Sequence, residues 1–298
     1  MTQNFTPLLS ATDWNEEWKR LQIARRKADN AEYWDKRSKT FSTKDAPNAY
    51  VERFLELARI EPGESVFDMG CGTGSLSIPL GAEGHKVVAC DFSQGMLDVM
   101  ESELREKNVT TVFPKLMSWE DDWEAHGVRE NMVDVSIASR SIAVSDMKAA
   151  LVRLSRVARR RVCITLSTGS SPRMDARILS DLGVKNEFGN DFLYAFNILA
   201  TASILPEVSY IQSTRTDTFD SVDDAYEDLS RMVLDAMADK ESPEAHAALS
   251  RLRDWTHEHV IANPDAGAPD KKGLPQKKFT LDYKRIVTWA FLAWDAKH

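Results

Sequence analysis

The sequence predicts an α/β fold built on a doubly wound, mostly parallel sheet. Three observations predict it. Between residues 65 and 166, short apolar runs alternate with amphipathic stretches. The first run ends in a glycine cluster, Asp68-Met69-Gly70-Cys71-Gly72-Thr73-Gly74. The second ends in an acid, Asp91, 23 positions after Asp68. Buried parallel strands read as continuous apolar runs because helices cover both faces of the sheet. The strand–helix–strand succession is what right-handed crossovers require.

The elements follow in order. Residues 10–40 read as helical, with Trp14, Trp18 and Leu21 at helical spacing and a second short helix carrying Tyr33, Trp34 and Arg37. Pro47 punctuates, and Ala49–Arg59 is a helix with Val51, Phe54, Leu55 and Ala58 on one face. Pro62-Gly63 is a turn. Strands are predicted at Ser65–Met69, Lys86–Cys90, Thr110–Leu116, Met132–Ala138 and Arg161–Leu166. Helices alternate with them, opening at Leu76 and spanning Gln94–Lys107 and Met147–Val157. Beyond Thr168 the rhythm breaks. Pro172–Leu205 reads as helical, Val208–Thr214 as a strand, and Asp223–Ala238 and Pro243–Ile261 as helices. Asn263–Gln276 is a loop, and Phe279–Tyr283 and Ile286–Trp294 are strands. Neither an internal repeat nor a low-complexity tract is visible.

Composition narrows the function. The 298 residues are 43% hydrophobic and 28% charged, as in an ordinary globular protein. The formal net charge of -8 counts against a nucleic-acid partner, because phosphate contacts need basic side chains. No run approaches the roughly 20 apolar residues of a membrane span, and the first 20 residues hold no apolar signal core. The three cysteines, Cys71, Cys90 and Cys163, form neither a disulfide framework nor a zinc pattern, so a cytoplasmic setting is expected. His257-Glu258-His259 invites a metal reading, but side chains two apart on a helix do not meet. His85, His126 and His298 have no convincing partner, so no metal is expected. Arg153, Arg156, Arg159, Arg160 and Arg161 cluster at a helix C-terminus, which favours cations without any ligand.

The glycine segment carries the chemistry. Glycine allows positive φ and the close approach of a ligand. A glycine turn before a helix presents backbone N–H groups, and an acid ending the next strand can accept hydrogen bonds from a ribose diol. A nicotinamide dehydrogenase shares these features, but its fingerprint spaces the last two glycines three apart. Here the third comes early, at Gly74, and Ser75 follows.

With Val88-Ala89-Cys90-Asp91-Phe92-Ser93-Gln94-Gly95-Met96-Leu97, this segment resembles the class I S-adenosylmethionine-dependent methyltransferases. Within them it is similar to the group that includes the ubiquinone and menaquinone methyltransferases, over about residues 50–168. The resemblance implies a three-layer Rossmann-like sandwich with seven strands and an antiparallel last strand, for which Ile286–Trp294 is the candidate. It implies that Asp68, Gly70, Cys71, Gly72 and Gly74 hold the methionine part of the cofactor and that Asp91 binds the ribose. Phe92 and Met96 would lie along the adenine, and Ser118 and Trp119 would bracket it. Ser118 stands where relatives often place an Asp. Ser139, in Ala138–Ser141, would face the reactive end. Cys71 and Cys90 also read as small apolar fillers.

The expected function is therefore methyl transfer from S-adenosylmethionine to a small molecule, with S-adenosylhomocysteine as the product. The alternatives are a non-catalytic S-adenosylmethionine-binding protein and an RNA or protein methyltransferase. Tyr33, Arg37, Arg140 and Tyr194 are the candidate acceptor contacts, and no general base is evident. Trp14, Trp18, Trp34 and Phe41 suggest a helical lid over the site. Three segments are expected: a lid or cap at 1–48, the cofactor-binding core at 49–168, and a helical insert at 169–298 that completes the sheet.

Overall fold

The computed structural model describes residues 7–25, 30–38, 48–270 and 273–296. It contains α1 (Leu8–Ala11), α2 (Trp14–Arg25), α3 (Ala31–Ser38), α4 (Ala49–Ala58), β1 (Val66–Met69), α5 (Ser77–Ala82), β2 (Val87–Asp91) and α6 (Gln94–Glu106). β3 (Val112–Leu116), β4 (Val133–Ser139), α7 (Met147–Val157), β5 (Ala158–Ser167), α8 (Ala176–Asp181), α9 (Asp191–Thr201) and β6 (Glu207–Arg215) follow. The chain ends with β7 (Thr218–Phe219), α10 (Val222–Asp235), α11 (Pro243–His259), β8 (Val260–Ala262), β9 (Phe279–Leu281) and β10 (Arg285–Asp295).

The main sheet has seven strands in the order β3-β2-β1-β4-β5-β10-β6. The pairs β1–β2, β1–β4, β2–β3 and β4–β5 are parallel. β10 is antiparallel, as expected for the last strand. The chain winds outward through β2 and β3, then returns to place β4 beside β1. That reversal is a topological switch point, and ligands of open α/β sheets bind beyond the carboxyl ends of such strands. β1 is buried along its whole length and β4 along most of it, because helices cover both faces.

Local chemistry fixes the helices. Asn48 accepts from the Tyr50 and Val51 N–H groups and starts α4, which ends at Arg59 in the left-handed conformation. Ser93 and Asp146 cap α6 and α7 through the Met96 and Ala149 N–H groups. Each cap satisfies donors that a helix leaves unpaired at its start.

The structure divides into two compact units. One comprises residues 1–166, 192–209 and 290–298; the other, residues 167–191 and 210–289. In the first unit Phe54, Phe67, Met69, Met100, Ile137, Leu151 and Phe291 are fully buried. The second has its own core of α8, α10 and α11 side chains, among them Ile178, Leu229, Val233, Leu252 and Trp255. It also carries a small antiparallel sheet, β7-β9-β8.

That small sheet corrects one expectation, the helix read through to Ile261. α11 stops at His259, and the β-branched Val260 and Ile261 begin a strand rather than a last helical turn. Phe279–Leu281 pairs in the small sheet and not in the main one. The helical stretch expected over Pro172–Leu205 is interrupted between α8 and α9, where Gly183 and Asn190 both take positive φ. Phe41 and the segments 1–6, 26–29 and 39–47 lie outside the described residues.

Candidate active site

The site is built where β1, β2 and β4 end. Its glycines serve three different purposes. A Cβ on Gly70 would meet the Ser141 Cβ at 2.2 Å, so Gly70 admits the turn that follows β4. A Cβ on Gly74 would meet Ile78 and Met100 at 2.9 Å, so Gly74 serves packing. A Cβ on Gly72 would meet nothing within 4 Å, and its φ is +56°. Gly72 is thus the position where a ligand can come close to the backbone. Cys71 is buried beside it, and burial pushes its thiol well up.

Two carboxyl groups flank this loop in different surroundings. Asp91 accepts the Gly72 N–H on Oδ2 at 2.8 Å and the Ser93 N–H on Oδ1 at 2.9 Å. Burial raises its pKa, while the N–H groups of Ser93, Gly72 and Phe92 pull the other way. Each Asp91 oxygen keeps a lone pair for a further donor. Asp68 is buried and accepts the Ser77 hydroxyl at 2.6 Å. Desolvation pushes its carboxyl up to about 7, against the Ser77 hydrogen bond and with the help of the Asp91 charge. The loop, an acid with spare acceptor capacity and the clear approach at Gly72 fit the nucleoside and amino-acid ends of the expected cofactor.

The next loops are tied together at Ser141. Its hydroxyl donates to the Met69 carbonyl at 2.7 Å, and its own carbonyl accepts from the Trp119 indole at 3.0 Å. Trp119 lies beside Trp123, and Ser118 offers its carbonyl to the Trp123 indole. The Ser118 N–H donates to Asp121 and its hydroxyl to Glu120. Phe92 is half-buried, and Met96 is buried on α6.

Ser139, at the end of β4, belongs to a hydroxyl cluster that sequence reasoning missed. The Tyr50 hydroxyl is 2.7 Å from both Ser139 Oγ and Thr165 Oγ1. Arg140 follows with φ +58°, its N–H donating to Thr165 Oγ1 and its guanidinium 4.1 Å from the Tyr50 ring centre. A non-glycine residue in that conformation is uncommon. Tyr50 sits on the buried face of α4 at helical spacing, so its periodicity reads as core alone.

The other acceptor candidates fall into separate groups. Tyr33 and Arg37 pair with each other on α3 through a 3.2 Å hydrogen bond. Tyr194, on α9, packs edge-on against Trp14 and Trp18 of α2. Trp18 is buried and donates to the Val144 carbonyl at 2.8 Å, while Asn15 bonds to Asp146 and Lys148 at the start of α7. α2 is thus docked beside the β4 exit. α3 lies against the start of α6, where Asp35 accepts from Ser93 and Gly95. Asp35 is a further residue that sequence reasoning missed.

The arginine cluster is occupied in structural roles. Arg153 donates to the Trp119 carbonyl, Arg156 faces Glu130, Arg159 pairs with Asp134, Arg160 with Glu64 and Arg161 with Glu207. His259 bonds to Asp282 at 3.0 Å, and no group of metal-ligating side chains occurs among the described residues. No described helix is long and apolar enough to cross a membrane.

Comparison with known proteins agrees with this geometry. Residues 66–161 match the family described as a methyltransferase domain. The chain is 30% identical over 201 residues to an uncharacterized protein of Haemophilus influenzae, covering 66% of this chain and 71% of that one. It is 32% identical over 118 residues to the malonyl-[acyl-carrier protein] O-methyltransferase of Serratia marcescens, covering 39% and 43%. It is 31% identical over 123 residues to the demethylmenaquinone methyltransferase of Corynebacterium efficiens, covering 40% and 48%. The chain therefore spans under half the length of these last two. Among solved structures, one described as "Conversion of a Disulfide Bond into a Thioacetal Group during Echinomycin Biosynthesis" superposes with a TM-score of 0.50 at 15% identity, covering 90% of this chain and 94% of that one. A likeness at that identity speaks for the fold alone. Sheet order, glycine turn and sequence matches converge, and the chain belongs to the class I S-adenosylmethionine-dependent methyltransferases, with S-adenosylmethionine as its methyl donor.

Proposed function

We propose that this enzyme methylates a small-molecule acceptor bound beside the β4 exit. The observation that carries the reading is the pairing of Gly72, clear for ligand approach, with Asp91, whose carboxylate keeps acceptor capacity. In this reading Gly70, Cys71, Gly72 and Gly74 cradle the methionine part and Asp91 takes the ribose hydroxyls. Phe92, Met96, Ser118 and Trp119 border the adenine, and Asp68 supports the loop from below through Ser77. When bound, the cofactor supplies a methyl group already activated on a sulfonium, so the protein's work is alignment and exclusion of water.

The acceptor would lie near Ser139 and Arg140. The Tyr50 ring and the positive-φ backbone hold the Arg140 guanidinium in place before any ligand arrives. A small acceptor accords with the acceptor that one relative's name states, demethylmenaquinone. It also accords with the acidic chain, which disfavours a nucleic acid. Tyr33, Arg37 and Tyr194 are proposed as further acceptor contacts, with the N-terminal helices as a cap.

Isothermal calorimetry tests the first half of the reading. S-adenosylhomocysteine should bind and NADH should not. A panel of metabolites incubated with methyl-labelled S-adenosylmethionine tests the second. Label passing to RNA or protein but to no small molecule would overturn the acceptor class.

A further inference from the structure

Outside the glycine loop, one half-buried connection reaches the ribose acid from a distant part of the chain. Asp35, on α3, accepts the Ser93 hydroxyl at 2.6 Å and the Gly95 N–H at 3.0 Å, both on Oδ1. Ser93 donates its own N–H to Asp91 Oδ1 at 2.9 Å. Its hydroxyl oxygen also accepts the Met96 N–H at 3.2 Å, so the single hydroxyl proton goes to Asp35 and the lone pair to the helix. Ser93 is therefore gripped by two carboxylates from segments 56 residues apart.

The close approach is built in. A Cβ on Gly95 would meet Ser38 Oγ at 2.9 Å and the Asp35 Cα at 3.1 Å. Only glycine admits α3 to this distance without displacement. An acid at the first turn of α6 is also favourable in itself, since the helix N-terminus carries partial positive charge. The hydrogen bonds from Ser93 and Gly95 hold the Asp35 carboxyl below the usual carboxylate range, so it is ionised at neutral pH.

Resting on the cofactor reading above, we propose that Asp35 is a positioning residue for the nucleoside end of S-adenosylmethionine, acting through Ser93 to aim Asp91. The reasoning is geometric. Asp91 can present its remaining lone pairs to a ribose diol only in the rotamer that its two backbone donors fix. One of those donors belongs to Ser93, and Asp35 fixes Ser93. With Asp35 removed, the Ser93 hydroxyl is free to turn, the Gly95 N–H loses its acceptor, and the first turn of α6 loosens under the ribose. Docking of α3 and binding of the nucleoside thereby favour each other, as linkage requires of two events that stabilise one arrangement.

The test is calorimetric, on the full chain, with two probes. S-adenosylhomocysteine carries both ends of the cofactor, and adenosine carries the nucleoside alone. Asp35→Ala should weaken both by the same factor, about tenfold or more, because the loss lies at the nucleoside end. Asp35→Asn keeps one acceptor oxygen and should recover part of the affinity. It also stands in if the alanine variant folds poorly. Ser93→Ala should lose as much as Asp35→Ala, and the double variant no more than either, since both lie on one path. An unchanged dissociation constant in Asp35→Ala would overturn the proposal. So would a loss seen with S-adenosylhomocysteine but not with adenosine, which would put the effect at the amino-acid end of the cofactor. Failure of the unsubstituted chain to bind S-adenosylhomocysteine would instead sink the cofactor reading, and this inference with it.

Discussion

At the scale of single residues, the two acids near the glycine turn have opposite consequences. Asp91 serves both the ligand and the loop, since it receives the Gly72 and Ser93 N–H groups. Asp91→Ala should weaken S-adenosylhomocysteine binding by about tenfold to a hundredfold, the loss of hydrogen bonds to a charged group. It should also cost about 1–3 kcal/mol of stability, because buried backbone donors lose their acceptor. Titration calorimetry and urea unfolding separate the two, and unaltered binding would mean that the ribose lies elsewhere. Asp68 governs pH instead. Its folded pKa is raised to about 7, so the folded state holds a proton that the unfolded chain releases near its ordinary value of 3.8. Stability from this group is complete below about pH 4 and is lost as pH rises through about 7. Asp68→Asn mimics the protonated acid and should flatten that decline. Melting temperatures of both proteins between pH 4 and 8 check it, and parallel curves would refute it.

At the scale of elements, the sites where strands end matter more than the strands. Gly70 and Ser141 occupy adjoining turns after β1 and β4, and a Cβ on the first has no room beside the second. Gly70→Ala should cost about 1–2 kcal/mol for the left-handed backbone and a further 1–3 kcal/mol, about, for the clash. Adding Ser141→Gly should return only the second part. Chemical denaturation of the single and double variants measures both, and a single variant as stable as the natural chain would contradict the geometry. Much of this region was legible in the sequence. The strands around the glycine turn, α7 and the Asp91 position follow from apolar runs and glycine punctuation, which are local signals. Tyr50, Ser93 and Asp35 were not legible as site residues. Each looks like a core ring, a helix cap or a surface acid until the fold brings it to a partner 58 or more positions away. The strand at β8 was hidden for a related reason, because three residues after a long helix carry too little pattern to read.

At the scale of the whole molecule, each unit has its own core, and the second also has a buried ionic centre. Arg285 pairs with Asp175 at 3.0 Å and with Asp217 at 2.8 Å, all three side chains under a tenth exposed. Tyr283 donates to Asp175, and the Arg177 guanidinium lies 3.9 Å from the Tyr283 ring centre. Removing the arginine leaves Asp175 buried without its ion-pair partner, so Arg285→Ala should destabilise by about 3–5 kcal/mol. Equilibrium unfolding measures this, and a loss below about 1 kcal/mol would show that water reaches the carboxylates. The buried thiol of Cys71 and those of Cys90 and Cys163, which are buried too, lead somewhere more practical. Burial is the chief cause that pushes Cys90 and Cys163 up to about 12 and Cys71 well above its ordinary value, so none supplies a thiolate at neutral pH. The natural chain is already a silent background for maleimide dyes. Ile23→Cys, at a position 76% exposed on α2, would take up one fluorophore without removal of any native cysteine, and the N-terminal helices could be followed in solution by their own light.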